Sequence, residues 1–324
     1  MNTKKELGQF YTINNPFKFK GFELWYRIFL DEGEKIVEPF AGSNNIIKLL
    51  REEGYNNNFT SFDISPSLNN LTPDVPVIKR NTIKDFPDGF KVAITNPPYL
   101  AKNSATRSNI EYVGDKYDDL YKECLDVMLS KCDYVAAIIP ESFITSGLFH
   151  NRLFSVISLN NKMFDDTDCP VCLALFVPEN KCNNDFLIYS QNSLLGSYKL
   201  LLKEKSKLDI DKNIDWKFNF KNGQIGIYCI DGTISDSIHF CRGEEIDDDK
   251  IKNTSRSITK VYIDKKIDDL DGFINKCNNI LDDYRKSTYD VFMTSFKGLR
   301  KDGKYRRRLD FKTAKKILNL AFFS

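Results

Sequence analysis

Lys35-Ile36-Val37-Glu38-Pro39-Phe40-Ala41-Gly42-Ser43-Asn44-Asn45-Ile46-Ile47-Lys48-Leu49-Leu50 is the most informative stretch for the fold. Its β-branched start reads as a strand that ends at Glu38, and the loop after it carries Gly42. The run from Ile46 to Leu50 then reads as a helix, with Asn44 or Asn45 placed to cap it. Strand, acidic residue, glycine-bearing loop and helix, in that order, is how a doubly wound sheet holds a nucleoside at the carboxyl ends of its strands. A second strand, Phe59-Thr60-Ser61-Phe62, ends on Asp63-Ile64, where such folds set an acid against ribose hydroxyls. Only Gly42 is present, not the G-x-G-x-x-G pattern, so a pyrophosphate would lack its close backbone approach. A cofactor with a ribose and no phosphates fits better.

Working outward, Asn14-Asn15-Pro16 is a turn signal, and Phe17, Phe19, Phe22, Leu24, Trp25, Ile28 and Phe29 recur at roughly helical spacing. Residues 76–79 and 92–95 read as a third and a fourth strand, and residues 103–117 as a polar loop over the strand ends. An amphipathic helix starts at Asp118, and residues 134–140 form a fully buried fifth strand. Residues 148–157 read as helical. Lys162-Met163-Phe164 and residues 171–177 follow as two more strands, joined by an acidic turn. Beyond Pro178 this alternation gives way to Asn- and Lys-rich segments with short strands, such as 224–230, and helices around 267–284 and 312–320. The expected architecture is α/β: a doubly wound, mostly parallel seven-stranded sheet over residues 1–180, with a smaller α+β domain over 181–324.

Composition narrows the class of protein. The chain has 324 residues, 41% hydrophobic and 28% charged, which is globular, and no apolar run approaches the length of a membrane span. The charged N-terminus lacks the apolar region of a signal peptide, so a cytoplasmic location is expected. Eight cysteines sit mostly among apolar neighbours and read as reduced core residues. Cys169-Pro170-Val171-Cys172 has C-x-x-C spacing, but no second pair completes a zinc site, and no metal is expected. With only His150 and His239 available, chemistry built on histidine is disfavoured.

The fourth strand runs into Thr95-Asn96-Pro97-Pro98-Tyr99, a rigid loop in which Asn96 offers a carboxamide. Pro97 fixes the backbone and removes a donor, leaving nearby carbonyls free to accept. Tyr99 adds a flat face with a polar tip. Two acceptors and one aromatic suit a planar ring bearing an amine, as in a nucleobase pocket; an ordinary Asn-Pro turn is the bland reading.

Gly8-Gln9-Phe10-Tyr11-Thr12, Glu38-Pro39-Phe40-Ala41-Gly42, Phe62-Asp63-Ile64-Ser65-Pro66 and Asn96-Pro97-Pro98-Tyr99, in that order, resemble the DNA adenine-N6 methyltransferases of the gamma arrangement, the family of type II restriction-modification methylases. The resemblance covers about the first 180 residues. It implies a Rossmann-like methyltransferase domain that binds S-adenosylmethionine, followed by a DNA target-recognition domain. By position it implies that Tyr11, Thr12 and Gly42 help bind the cofactor and that Glu38 and Phe40 line its methionine side. Asp63 would take the ribose and Ile64 the adenine. Asn81 is implied to border the cofactor too, standing where the family usually has an acid that contacts the adenine amine, and Asn44 stands where the family often has a second glycine. Asn96, Pro97 and Tyr99 are the catalytic residues so implied, with Asn96 also bordering the cofactor, and Tyr99 and Phe164 are implied to stack on opposite faces of a flipped base. Double-stranded DNA is the implied substrate, and a cognate restriction endonuclease acting on the same site the implied partner; monomer and dimer both stay open.

The C-terminal segment Lys304-Tyr305-Arg306-Arg307-Arg308 belongs to a basic run that starts near Lys297. Lys304, Arg306, Arg307 and Arg308 are therefore candidate DNA contacts, against the bland reading of a solvated face. Methylation of RNA adenine or of a protein glutamine, whose amide could use the same acceptors, is the alternative within enzymes. A silent nucleic-acid-binding module is the alternative outside them.

Overall fold

The run ahead of Glu38 forms β1 (Lys35–Glu38), whose last three residues are buried, and the apolar repeat after Asn44 forms α2 (Asn45–Glu52). Before them, α1 (Lys20–Phe29) buries Phe22 and Trp25. In this computed structural model, residues 12–109, 111, 112, 114–160, 162–165, 167–181 and 185–324 are described. The chain divides into two compact units, one running through Gly196 and the other Ser197–Ser324.

The first unit is built on one sheet. Its strands are β1, β2 (Asn58–Asp63), β3 (Val77–Lys79), β4 (Val92–Thr95), β5 (Tyr134–Pro140), β6 (Leu153–Leu159), β7 (Val171–Phe176), β8 (Leu187–Ser190) and β9 (Ser193–Ser197). Among the described residues the order is β3-β2-β1-β4-β5-β7-β6-β8-β9. β1 to β5 are mutually parallel, β7 runs antiparallel to both β5 and β6, and β8 is parallel to β6. The sheet is thus mixed and nine-stranded, not seven-stranded: β8 and β9 extend it past residue 180. Residues 148–157, expected as a helix, supply instead a short 3-10 turn and most of β6. A buried run such as Leu153-Phe154-Ser155-Val156-Ile157-Ser158-Leu159 satisfies helical and extended patterns alike, and pairing with β7 decides between them. Within the expected loop 103–117, α3 (Lys102–Arg107) forms a short helix, and α4 (Leu120–Lys131) follows as expected.

Helix α1 closes one face of the sheet. Phe17, Phe19, Phe22 and Trp25 are buried with Ile157, Leu173 and Leu175 in one core cluster. The Trp25 indole donates to the Phe176 carbonyl at 3.1 Å, so its polar atom is satisfied inside the core. Gly21 permits this approach, because a Cβ there would lie 3.0 Å from Ile157 Cδ1.

The second unit has a four-stranded antiparallel sheet in the order β10-β13-β11-β12: β10 (Lys217–Phe218), β11 (Ile225–Tyr228), β12 (His239–Arg242) and β13 (Ile258–Tyr262). A hairpin, β14 (Thr294–Leu299) with β15 (Tyr305–Arg308), meets it at the Ile230–Arg308 bridge. Helices α5 (Tyr198–Ser206), α6 (Leu270–Thr288) and α7 (Phe311–Phe323) complete the unit. In α6, Phe273, Ile274, Cys277, Leu281, Tyr284 and Thr288 are buried at helical spacing, and the Asp269 side chain caps its start. No helix among the described residues is long and apolar enough to cross a membrane.

Candidate active site

β1 sits between β2 and β4, and the connections from β1 and β4 leave to opposite sides of the sheet. That reversal opens a crevice at the carboxyl ends of the strands, where open α/β sheets bind ligands. A cavity of about 530 Å³ lies there. Phe40 and Gly42 reach it from the end of β1, Asp63 and Ile64 from β2, Asn81 from the turn after β3 and Asn96 from β4. Thr12 lines it from the segment preceding α1. Glu38 and Tyr99 are not in the wall, and Pro98 rather than Pro97 reaches it. Tyr11 lies outside the described residues.

The loop after β1 is held by its neighbours. Gly42 adopts φ +52°, a left-handed conformation that glycine takes without strain, and its N–H donates to Asp63 Oδ2 at 2.8 Å. The other Asp63 oxygen accepts from the Ser65 N–H at 2.7 Å. The Asp63 carboxylate therefore ties the β1 loop to the β2 loop at the cavity edge. Asn44 is also left-handed, at φ +61°, and is fully buried. It precedes α2 without capping it by its side chain; its Nδ2 donates to the Val75 carbonyl at 2.7 Å and to Asn70. Ile64 remains 47% exposed beside the cavity, an apolar side chain open to a flat ligand.

Glu38 supplies the clearest test of whether a cofactor fits. Its side chain is buried, and Oε1 accepts from the Thr95 hydroxyl and from the Phe40 N–H. Oε2 is equally buried and has no hydrogen-bond partner among the described residues. Burial pushes the carboxyl up to about 8, against the lowering effect of Thr95 and Phe40. Behind the cavity wall, Oε2 is thus a buried polar atom left without a partner, and a cation brought up to it, such as the ammonium that S-adenosylmethionine carries, would favour the ionised form that burial alone disfavours. The raised value also fixes a pH dependence. The folded chain keeps a proton that the unfolded chain loses above about 4.5, so the contribution is whole below that pH and is lost as pH rises toward about 8. The slope is at most about 1.4 kcal/mol per pH unit. The apoprotein's melting temperature is expected to fall between pH 6 and 8, and Glu38→Gln to flatten that fall; an unchanged profile in the variant would contradict the assignment.

At the end of β4, Asn96 Oδ1 lies 2.5 Å from the Tyr99 hydroxyl, and its Nδ2 donates to Thr12 Oγ1 at 3.4 Å. The same hydroxyl lies 2.6 Å from the Ile138 carbonyl of β5. Burial raises the Tyr99 phenol well above its ordinary value, so it stays protonated. Phe164, expected on the opposite face of a base from Tyr99, is fully buried and meets the Tyr99 ring edge-on, with centroids 6.0 Å apart at 71°. Pairing of Thr12 with Phe164, and of the Ile13 N–H with the Met163 carbonyl, turns it inward. Phe164 therefore offers no stacking face in this arrangement and instead buttresses Tyr99.

Other wall residues were not singled out by the sequence. Glu111, Asp115 and Glu123 bring acidic groups to the cavity, and Arg80 and Lys84 bring basic ones. Glu123 Oε1 accepts from the N–H groups of Lys116 and Tyr117, which folds the loop back over the start of α4. For Glu111 and Asp115 the sequence signal was a polar stretch following the Asn96 loop, whereas Arg80 and Lys84 come from the segment between β3 and β4. Among the described residues no group of three His, Cys, Asp or Glu could hold a metal.

In the second unit, the basic residues of β15 are half-buried, while Lys304 is exposed. Arg306 donates to the Asp231 carbonyl at 2.7 Å and lies over the Phe296 ring. Arg307 donates to Ser295 Oγ at 2.9 Å, and Arg308 pairs with Thr294 across the hairpin.

No family model matches the chain, and no curated protein matches it. Among solved structures, it is similar to a type I restriction-modification methyltransferase subunit from Streptococcus thermophilus, at 18% identity and TM-score 0.42, over 73% of this chain and 56% of that one. It is also similar to DrdV in a complex with DNA, at 17% and 0.40, over 57% of this chain and 28% of that one. The type IIG restriction endonuclease BpuSI gives 16% and 0.38, over 56% and 27%. The chain spans less than two thirds of the length of each of these three. Likeness at this level is too slight to carry an activity across.

Proposed function

We propose that the chain is a DNA methyltransferase that transfers a methyl group from S-adenosylmethionine to the N6 of adenine in duplex DNA, as the modification enzyme of a restriction-modification system. The observation that supports it best is the meeting, at one cavity, of Asn96 and Pro98 from the Asn96-Pro97-Pro98-Tyr99 loop with Phe40, Gly42, Asp63 and Ile64. These are the motifs whose order in the sequence resembles the gamma-arranged enzymes.

On this reading the cofactor ammonium is directed to Glu38 Oε2 behind the cavity wall, the ribose hydroxyls to Asp63 and the adenine to Ile64, with Thr12, Phe40, Gly42 and Asn81 lining the same wall. The bound cofactor supplies an electrophilic methyl on a sulfonium, whose sulfur keeps the electron pair of the broken S–C bond. Asn96 Oδ1 and the Pro97 carbonyl accept the two amine hydrogens of adenine. They favour a pyramidal nitrogen and stabilise the positive charge that grows as its lone pair bonds to the methyl carbon. The surplus proton then leaves to water, which needs no histidine. A base inside a duplex must be flipped to reach the loop, and stacking on Tyr99 offsets about 1–3 kcal/mol of that cost.

The second unit is assigned target recognition, with Lys304, Arg306, Arg307 and Arg308 facing phosphates or guanine edges. Reversing the charge of Lys304 and Arg306 together is expected to weaken DNA binding and reduce its salt dependence by roughly one to two released counterions; unchanged affinity and slope would remove these residues from the interface. The whole reading is tested by methyl transfer from S-adenosylmethionine to unmethylated duplex DNA.

A further inference from the structure

A carboxamide has two ends of nearly the same size, and only its oxygen can accept from an amine. An asparagine that acts as an acceptor must therefore be prevented from turning over. Asn96 stands on a loop, outside the β4 hydrogen-bond ladder, so something other than the sheet has to hold it. We infer that the Tyr99 hydroxyl is the positioning group for Asn96, anchoring its carboxamide to the Ile138 carbonyl of the central strand β5.

The geometry is a three-point chain: Asn96 Oδ1, Tyr99 Oη at 2.5 Å, and Ile138 O at 2.6 Å. A phenol carries one proton, and both neighbours are oxygens, so the proton is shared between them in a three-centre bond. On the other side of the amide, Nδ2 faces Thr12 Oγ1. The carboxamide is thus gripped by two hydroxyls, one as donor to its oxygen and one as acceptor from its nitrogen. Ile138 lies in the middle of β5, in register with Leu173 of β7, which makes it a rigid point of attachment. The Tyr99 ring is itself fixed by edge-on contacts with Tyr121 and Phe164. Stacking needs only the ring; the hydroxyl has this separate use. A phenylalanine at 99 would keep the stacking surface and remove the grip.

This inference rests on the methyltransferase reading, and Tyr99→Phe separates the two. With saturating bulk unmethylated DNA and cofactor, kcat is expected to fall roughly ten- to a hundredfold in Tyr99→Phe, the scale of a lost polar contact in a buried site. The S-adenosylmethionine dissociation constant, measured by calorimetry without DNA, is expected to stay within about twofold. Tyr99→Ala, which loses ring and hydroxyl, should be slower still, with a raised KM for DNA. A Tyr99→Phe enzyme with wild-type kcat overturns the positioning role and leaves the methyltransferase reading standing. So does a variant in which kcat, cofactor affinity and melting temperature decline together, since that describes a packing defect. A wild-type protein that binds cofactor and transfers nothing to DNA overturns the underlying reading, and the inference with it.

Discussion

Asn96→Ala is expected to lower methyl transfer by at least about 10²- to 10³-fold, the range seen when one preorganised polar group is taken from a charge-developing centre. The loss should fall on kcat. The alanine removes the acceptor for the adenine amine, whereas Glu38 and Asp63 at the ends of β1 and β2, and Gly42 and Ile64 in the loops after them, keep their places and hold the cofactor as before. On the cofactor side, the long Nδ2 to Thr12 bond at 3.4 Å disappears. Calorimetric titration with S-adenosylmethionine alongside a methyl-transfer assay checks both halves. A variant that still methylates at near the wild-type rate would falsify the mechanism. One that loses both binding and transfer would show Asn96 to be structural.

The second large effect is expected at a buried charge network in the second unit, on stability. Asp231 is completely buried, and both its oxygens accept from Arg285, at 3.0 and 2.9 Å. Arg285 is also bound to Asp236 and Asp290, and Arg300 to Asp236 and Asp302. The Asp231 backbone accepts from Arg306 and donates to the Arg307 carbonyl, so this network carries the β14–β15 hairpin. Burial works against the ionised form, but Arg285 and the Ser237 amide outweigh it and hold the Asp231 carboxyl below its ordinary value. Arg285→Ala leaves several carboxylates, one of them fully buried, without their main cation, and is expected to destabilise this unit by about 3–5 kcal/mol. Chemical denaturation followed by far-ultraviolet dichroism measures it. A loss below about 1 kcal/mol would mean that water or a neighbouring cation replaces the guanidinium at little cost.

Much of the cavity was legible because its residues follow strands whose pattern is unambiguous. The runs ending at Glu38, Asp63 and Thr95 are short, rich in β-branched or aromatic residues and closed by turn residues, so strand and loop are marked in the same few positions. Other parts are decided by partners distant in sequence. β6 became a strand by pairing with β7, and β8 joined through β6 although Asn-rich residues precede it. Phe164 turned inward because Thr12, far away in the chain, pairs with it. Glu111, Asp115 and Glu123 reach the cavity only through the path of an irregular loop, which no periodicity records. The basic C-terminal run was visible as composition, but its division into exposed Lys304 and half-buried arginines depends on Asp231, Phe296 and Ser295.

The central claim is met most directly by incubating the protein with S-adenosylmethionine labelled in its methyl group and unmethylated duplex DNA, then digesting the DNA to nucleosides for mass spectrometry. RNA and a glutamine-bearing protein fraction serve as parallel acceptors. The expected result is label in N6-methyladenine from DNA, with none in cytosine and none in the other two acceptors. Cofactor binding with no label in DNA, or label in RNA adenine or glutamine instead, would contradict the claim and leave the second unit without its assigned role.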